Sequence, residues 1–377
     1  MSLSIQKEQL YDVLQKTFPI IPLKSSLQIL SNFRIVYDKT QLQIIATDLD
    51  QSIRAVLAVK AESSFDITVN ARKIFEIIRE LPEGKVTITV EENVMILQTE
   101  KNFSCKIAGA DSQDFPGFPE VSSGMEFDIP AVQLKNMIPK SSFAVAKDES
   151  RACLAGILWE IYPEKCGMVA TDGHRLGSCF MKGKFSIKEK MSGIISPKSL
   201  NHLVRILDNR PDEKLQVLIN EKYITFNTSS FTLCSKLVEG PYPDYSKVIP
   251  AHNPKEAIVE RSALLTAVKR ASVFSNQKTH LIKFIFSNNS LEIIVVNKEI
   301  GGEATEKISA DYNGDTHTVG FNGQYFSEIL DIIKTAKIRI KMNTQISACL
   351  IFPEKEKEEE KISEDLFLIM PLRIMDV

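Results

Sequence analysis

Asp172 and His174 stand two positions apart, and Ser178 follows shortly after. A carboxylate, an imidazole and a hydroxyl could serve as orienting acid, base and nucleophile. Such a triad is defined in space, so the spacing leaves that reading open. The surroundings do not favour it. The chain has no nucleophile elbow, no glycine-rich phosphate loop and no HExxH helix. His202, His252, His280 and His317 show no metal-ligand spacing. Cys105, Cys153, Cys166, Cys179, Cys234 and Cys349 form no C-x-x-C pair. The expectation is a non-enzyme without metal or cofactor. In it Asp-x-His belongs to a turn, and the thiols are free and packed in a reducing cytosol.

The chain that positions these residues has 377 of them, 44% hydrophobic and 25% charged. That composition supplies several cores, and about 100–200 residues per domain implies two or three domains. A net charge of −2 gives no global attraction to nucleic acid. Any such contact must come from local charge placement. The N-terminus is polar, and no stretch approaches the ~18 apolar residues of a membrane span. A soluble, cytoplasmic protein is expected.

An internal repeat organises the sequence. Ala46-Thr47-Asp48 follows the apolar run 42–45 and recurs as Ala170-Thr171-Asp172 after 166–169. In a decayed third copy, after 291–294, Asn297 takes the place of Asp48. The period of roughly 125 residues is that of whole domains rather than of a solenoid. Each copy opens with an alternating strand and an amphipathic helix. The helices carry Leu10, Val13 and Leu14; Val132, Leu134 and Ile138; and Leu264, Leu265 and Val268. Pro139 is expected to cut the second of these short.

A second helix follows the middle strands of each copy. Ala71-Arg72-Lys73 leads to Ile74, Ile77, Ile78 and Leu81. Pro197-Lys198-Ser199 leads to Leu200, Leu203, Val204 and Leu207, and Asn322-Gly323-Gln324 to Phe326, Ile329, Leu330 and Ile333. The fold class is therefore α+β, with three similar domains at 1–123, 124–254 and 255–377, each two helices against antiparallel strands. The charged run 354–361 reads as a solvated hairpin loop.

Successive similar domains meet head to tail, and such contacts close into a ring when the rotation divides a full turn. The first helices carry Lys7, Lys16, Lys135, Lys140, Lys269 and Arg270. The second carry Arg72, Arg79, Lys198, Arg205, Lys334 and Lys337. These cations are either the ordinary wet face of amphipathic helices or a positive surface for phosphates. Glu8, Asp12, Glu76, Glu80 and Glu328 dilute the pattern.

Several motifs resemble those of the bacterial DNA polymerase III beta subunits, the sliding clamps. They are Ala46-Thr47-Asp48-Leu49; Ala71-Arg72-Lys73 with Leu81-Pro82-Glu83-Gly84; Ala170-Thr171-Asp172-Gly173-His174-Arg175-Leu176; Ser235-Lys236-Leu237-Val238-Glu239-Gly240 with Tyr242-Pro243-Asp244-Tyr245; Gly320-Phe321-Asn322; and Met370-Pro371-Leu372-Arg373. They fall in order along the whole chain.

The resemblance implies the DNA clamp fold and a head-to-tail homodimer forming a six-domain ring. It implies a processivity factor that encircles duplex DNA and is opened by a clamp loader complex. It also implies a cleft that docks short peptides of the replicative polymerase subunit and of other clamp-binding proteins. Carried over by motif, the cleft comprises Leu154, Thr171, Gly173, His174, Arg175, Leu176, Pro243, Lys247, Val248, Asn322, Tyr325, Ile346, Leu368, Ile369, Met370, Pro371, Leu372 and Arg373. Leu176, Val248, Ile346 and Met370 are expected to form one apolar pocket, with Arg175 and Arg373 on its polar edge.

DNA would face Lys24, Arg72, Arg79, Lys135, Lys140, Lys198, Arg205, Lys269 and Lys334. The dimer interface would take Lys73, Phe103, Cys105, Val273 and Phe274, of which Phe103 and Phe274 read equally well as core. The sequence departs from the family at Lys247, where arginine is common, and at Thr279, Ala152 and Cys153, where some relatives carry aromatics. Residues 374–377 extend the usual tail. The rival reading is a three-domain protein-interaction scaffold that does not encircle DNA.

Overall fold

The computed structural model describes residues 2–60, 64–208, 210, 213–299, 301–354 and 363–374. One order of elements occurs three times: strand, helix, four strands, helix, three strands. The first copy holds β1 (Ser2–Gln6), α1 (Lys7–Thr17), β2 (Asn32–Tyr37), β3 (Gln41–Thr47), β4 (Gln51–Ala58), β5 (Phe65–Asn70), α2 (Ala71–Glu80), β6 (Lys85–Glu91), β7 (Val94–Thr99) and β8 (Ser104–Ala110). The second holds β9 (Met125–Pro130), α3 (Ala131–Ser142), β10 (Ile157–Ile161), β11 (Lys165–Thr171), β12 (Arg175–Lys182), β13 (Met191–Ile195), α4 (Pro197–Ile206), β14 (Lys214–Ile219), β15 (Tyr223–Asn227) and β16 (Phe231–Lys236). The third holds β17 (Lys255–Glu260), α5 (Arg261–Ser272), β18 (Leu281–Ser287), β19 (Ser290–Asn297), β20 (Gly302–Asp311), β21 (His317–Asn322), α6 (Gly323–Ile332), β22 (Lys337–Met342), β23 (Cys349–Glu354) and β24 (Ser363–Ile369).

Period-two patterning produces these strands. In β18 the buried Ile282, Phe284 and Phe286 alternate with less buried neighbours. The helices bury one stripe each, as Ile74 and Ile78 do in α2 and Phe326, Ile329 and Leu330 in α6. Asn70 and Asn322 cap α2 and α6, accepting the amides of Lys73 and of Gln324 and Tyr325. Phe284, Phe321 and Phe326 pack with centroids 4.9–5.2 Å apart in the third core. No described helix is long and apolar enough to cross a membrane.

Contacts divide the chain into two compact units, Met1–Lys135 with Lys198–Leu237, and Asn136–Pro197 with Val238–Val377. The division cuts the middle copy. Each unit carries one continuous run of twelve strands. In the first unit the copies join where β4 pairs with β16, Ser52 opposite Cys234. In the second they join where β12 pairs with β24, Leu176 opposite Leu368. Within the copies, Ile53 and Gly177 lie at equivalent places, opposite Ala46 and Ala170. Cys234 and Leu368 are likewise equivalent, opposite Thr225 and Leu350. The two junctions therefore share one register.

Three expectations need correction or fall outside view. Pro139 does not shorten α3, which runs on to Ser142. A proline inside a helix removes one backbone bond, but it is exposed here. The last turn is held by buried Ile138 and by Ser141, whose hydroxyl donates to the Ile138 carbonyl. Ile77 and Val204 are only half-buried, at the edges of their stripes. Of the charged run 354–361, only Glu354 is described; it ends β23 and accepts from Arg339 at 2.7 and 2.8 Å, and the rest lies outside the described residues.

Gly177 marks where β12 admits no side chain: a Cβ there would lie 2.3 Å from the Lys140 carbonyl and 2.5 Å from Phe143. Replacing a strand glycine by alanine ordinarily restricts the unfolded chain and stabilises. At Gly177 the sign should reverse, because a backbone carbonyl cannot yield. Gly177→Ala should cost about 1–3 kcal/mol, read as a fall in the urea midpoint. An unchanged or raised midpoint would show that this contact is not tight.

Candidate functional site

The repeated Thr-Asp motif builds one turn twice. Thr47 Oγ1 accepts the Leu49 amide at 3.1 Å and donates to the Gln51 carbonyl at 3.1 Å. Thr171 Oγ1 accepts the Gly173 amide at 3.1 Å and donates to the Arg175 carbonyl at 2.7 Å. The aspartate then takes two amides, those of Asp50 and Gln51 in one copy and of His174 and Arg175 in the other. Asp172 Oδ2 accepts from Arg175 Nε at 3.0 Å. Both carboxylate oxygens are thus engaged in holding the turn, which is the structural reading of Asp-x-His. Ser178 is buried within β12. Leu49 and Gly173 both sit at positive φ, 77° and 87°. Leucine is strained there and glycine is not, and nothing lies within 4 Å of the place of a Gly173 Cβ. The second copy therefore leaves its turn backbone open where the first covers it with a side chain.

Around the Gly173 turn, the second unit gathers segments far apart in sequence. The Met370 amide donates to the His174 carbonyl at 2.8 Å, and the Leu372 amide to the Gly320 carbonyl at 2.8 Å. The tail thus runs from β12 to β21. The Thr171 amide donates to the Tyr242 hydroxyl at 3.0 Å. Beneath lies an apolar cluster of Leu158, Val169, Leu176, Ile194, Ala348, Leu350 and Leu368, with Cys153, Tyr242 and Tyr245 packed against it. At the surface stand His174, Pro243, Lys247, Val248, Ile346, Met370 and Arg373, all exposed.

The expected residues sort by depth. Leu154, Leu176, Leu368 and Ile369 are buried and support the face rather than forming it. Val248, Ile346 and Met370 are 51%, 68% and 36% exposed, large apolar side chains left in solvent. Thr171, Asn322, Tyr325, Pro371 and Leu372 are half-buried, and Asn322 is occupied as a helix cap. Arg175 is not at the polar edge. It is 3% exposed, its guanidinium 4.2 Å from the Tyr325 centroid and 5.3 Å from that of Phe143. It pairs with Asp172 and, through a short contact, with Glu328 of α6. A planar cation with two carboxylates and two rings is satisfied inside, so Arg175 is a keystone between the second and third copies. Lys247 and Arg373 are left as the exposed cations of this face. The sequence reading missed Phe143, Glu328 and Tyr242 as supports. Tyr242 lay within a quoted motif, but no local spacing marks the other two.

The expected DNA-facing cations differ in freedom. Lys24, Arg72 and Arg205 are exposed, with no ion pair among the described residues. Arg79 pairs with Glu80, Lys198 with Asp48 at 2.5 Å, and Lys269 with Asp331 at 3.0 Å. Lys334 donates to the Asp331 carbonyl. Lys135 is half-buried and donates to the Leu207 carbonyl. Lys140 is also half-buried, tied to the buried Asp365 at 2.8 Å. Those last two do not belong to an open cationic face, because burial has given each an internal acceptor.

Lys73 is exposed. Phe103, Val273 and Phe274 are 38%, 76% and 37% exposed, so the core reading of the two phenylalanines does not hold within this chain. Cys105 is half-buried, as is Cys153, and the other four cysteines are buried; all six are free. Burial pushes the Cys166, Cys234 and Cys349 thiols up to about 12, which keeps them protonated and inert.

Comparison with known proteins agrees with this architecture. The DNA polymerase III beta subunit matches domain by domain: its N-terminal domain over residues 1–119, its central domain over 128–244 and its C-terminal domain over 246–372. The beta sliding clamps of Pseudomonas aeruginosa and Escherichia coli K12 are each 31% identical over 377 residues, covering 99% of this chain and all of theirs. The crystal structure of the P. aeruginosa subunit superposes with a TM-score of 0.92 at 30% identity, covering 99% of this chain and all of that one. That of the Bacillus subtilis clamp gives 0.91 at 28%, with both chains fully covered. A P. aeruginosa sliding clamp bound to griselimycin gives 0.93 at 30%, again over 99% of this chain and all of that one. Three successive domain matches and whole-length relatives lead to one conclusion: the chain belongs to the DNA polymerase III beta subunit family, the bacterial sliding clamps.

Proposed function

We propose that this protein is a DNA sliding clamp, a processivity factor that encircles duplex DNA as a head-to-tail homodimer and holds the polymerase and other proteins by their docking peptides. Its three clamp domains meet near residues 123–124 and 254–255. The observation that carries this reading is the repeated junction. β4 takes β16, and β12 takes β24, in one register. The equivalent strands left over are β20 and β8. β8 pairs with β7 from Ser104 to Ala108 and with β5 only at Gly109 and Ala110. β20 pairs with β19 but with β17 only at Ala310 and Asp311. Each keeps an open edge of backbone donors and acceptors, which calls for another strand.

Val295 opposite Ala304, and Ile96 opposite Lys106, fix the equivalences. The same register then sets Lys106 against the partner subunit's Glu303 and Cys105 against the partner subunit's Ala304. Opposite charges face each other, and a neighbour would cover the exposed Phe103, Val273 and Phe274. Contacts of this heterologous kind close into a ring when the rotation permits. Ala304→Cys should form an intersubunit disulfide with the native Cys105 on mild oxidation, seen as a covalent dimer on a non-reducing gel. Glu303→Cys and Thr305→Cys, whose side chains point to the opposite face, should not. Equal cross-linking at all three positions would refute the register.

A sliding ring needs weak, sequence-independent phosphate contacts. Lys24, Arg72 and Arg205 are best placed to supply them, because internal acceptors do not hold them. Arg72→Ala should weaken binding equally on all duplex sequences and flatten the salt dependence by about one contact. Lys140→Ala should leave that slope unchanged while lowering stability. A sequence-selective loss with Arg72→Ala would contradict this assignment.

The docking face takes a short peptide with apolar anchors. Val248, Ile346 and Met370 supply exposed apolar surface, and Gly173 offers open backbone. Met370→Glu should weaken a leucine- and phenylalanine-bearing peptide by about tenfold or more, by fluorescence anisotropy, while the dimer stays intact. Unchanged affinity would put the docking face elsewhere.

A further inference from the structure

The segment 239–248 carries Pro243, Lys247 and Val248, and it contains no fully buried residue. Only Tyr242 and Tyr245 are partly covered by the apolar cluster beneath. Each also spends its hydroxyl on an anchor. Tyr242 accepts the Thr171 amide, which ties the segment to the Gly173 turn. Tyr245 donates to Glu160 Oε2 at 2.6 Å. Between them Asp244 accepts the Ser246 amide and hydroxyl, shaping the short helical turn that leads to Val248.

Glu160 projects from β10 with its side chain 7% exposed. Its other oxygen takes the Lys190 ammonium at 2.5 Å and the Tyr162 hydroxyl at 3.2 Å. A carboxylate this buried survives ionised only when its lone pairs are occupied. Burial opposes the charge, but Lys190, Tyr245 and Tyr162 outweigh it and hold the carboxyl below the usual range. Burial and the same carboxylate push the Tyr245 phenol up, so it stays a donor. The contact between strand and segment is therefore a charge-assisted bond, made by a carboxylate that is itself almost wholly buried.

We infer that Glu160 is a positioning residue for peptide docking: through Tyr245 it fixes the 242–248 segment and so sets where Pro243 and Val248 stand. This rests on the docking-face reading above. Loss of the bond lets the segment sample other positions, and affinity falls in proportion to the time spent misplaced.

The test uses the full-length chain, a labelled leucine- and phenylalanine-bearing peptide, and hydrogen exchange of the 242–248 amides. Tyr245→Phe and Glu160→Ala should each weaken the peptide by about three- to tenfold, and the double variant no more than the worse single, since the Tyr245–Glu160 bond is lost in every case. Glu160→Gln keeps an oxygen for the Tyr245 hydroxyl and should recover most of the affinity. Exchange in the segment should quicken in step with the affinity loss. Emission of Trp159, the single tryptophan, which is fully buried beside Glu160, should stay unchanged. If Glu160→Ala shifts that emission, Tyr245→Phe, which removes one oxygen, carries the test. Wild-type affinity and exchange in Tyr245→Phe would overturn the inference, as would additive losses in the double variant. Should the unaltered protein bind no peptide, or Met370→Glu bind as well as it does, the docking-face reading fails instead. The exchange comparison then still decides whether Glu160 fixes the segment.

Discussion

An open strand edge is the constraint on which this structure depends. A row of unpaired amides and carbonyls is costly to cover and hazardous to leave bare. In this chain each copy offers one such edge on its second group of strands and one on its first. Pairing β4 with β16 and β12 with β24 resolves two of the three. The solution is mechanical and repeats in register at both junctions. What remains is one edge of each kind, and on these two edges the proposed dimer rests.

The junctions hold more than backbone bonds. At the first, the Lys198 ammonium meets the buried Asp48 carboxylate, and His202 Nε2 lies 2.8 Å from the Lys16 carbonyl. Burial lowers the basicity of that imidazole. At the second, Arg175 joins Asp172 to Glu328 between two aromatic rings. Breaking such a pair leaves an unpaired buried charge, which costs far more than the pair contributes. Yet the two junctions differ at the repeated turn. At the second, glycine at position 173 leaves the turn bare, and the tail strand brings Met370 alongside it. At the equivalent turn of the first junction stand Leu49 and Lys236.

Much of this was legible in the sequence because the three copies keep their apolar spacing and two of them keep the same turn residues. Apolar periodicity placed all six helices, and Ala-Thr-Asp located the turns. Asn297 was matched to Asp48 across a decayed copy. Legibility failed where three-dimensional neighbours decide. Arg175 looks like a surface cation until Phe143, Tyr325 and Glu328 close over it. Lys135 and Lys140 share the helical spacing of free cations but find a carbonyl and a buried carboxylate. Pro139 breaks a local rule that two buried neighbours override. Glu160 carries no motif, and its partner Tyr245 lies 85 positions away. The register of the junctions is likewise invisible to composition, since it depends on which residues end up opposite.

Encirclement is the claim that distinguishes a clamp from a scaffold, and topology tests it more directly than affinity. Protein assembled on a nicked circular duplex should survive a wash in high salt, because screening weakens phosphate contacts but cannot open a closed ring. One restriction cut at the same salt should release it from the ends. Release from circles and linear molecules alike as salt rises, or retention after the cut, would contradict a ring that slides.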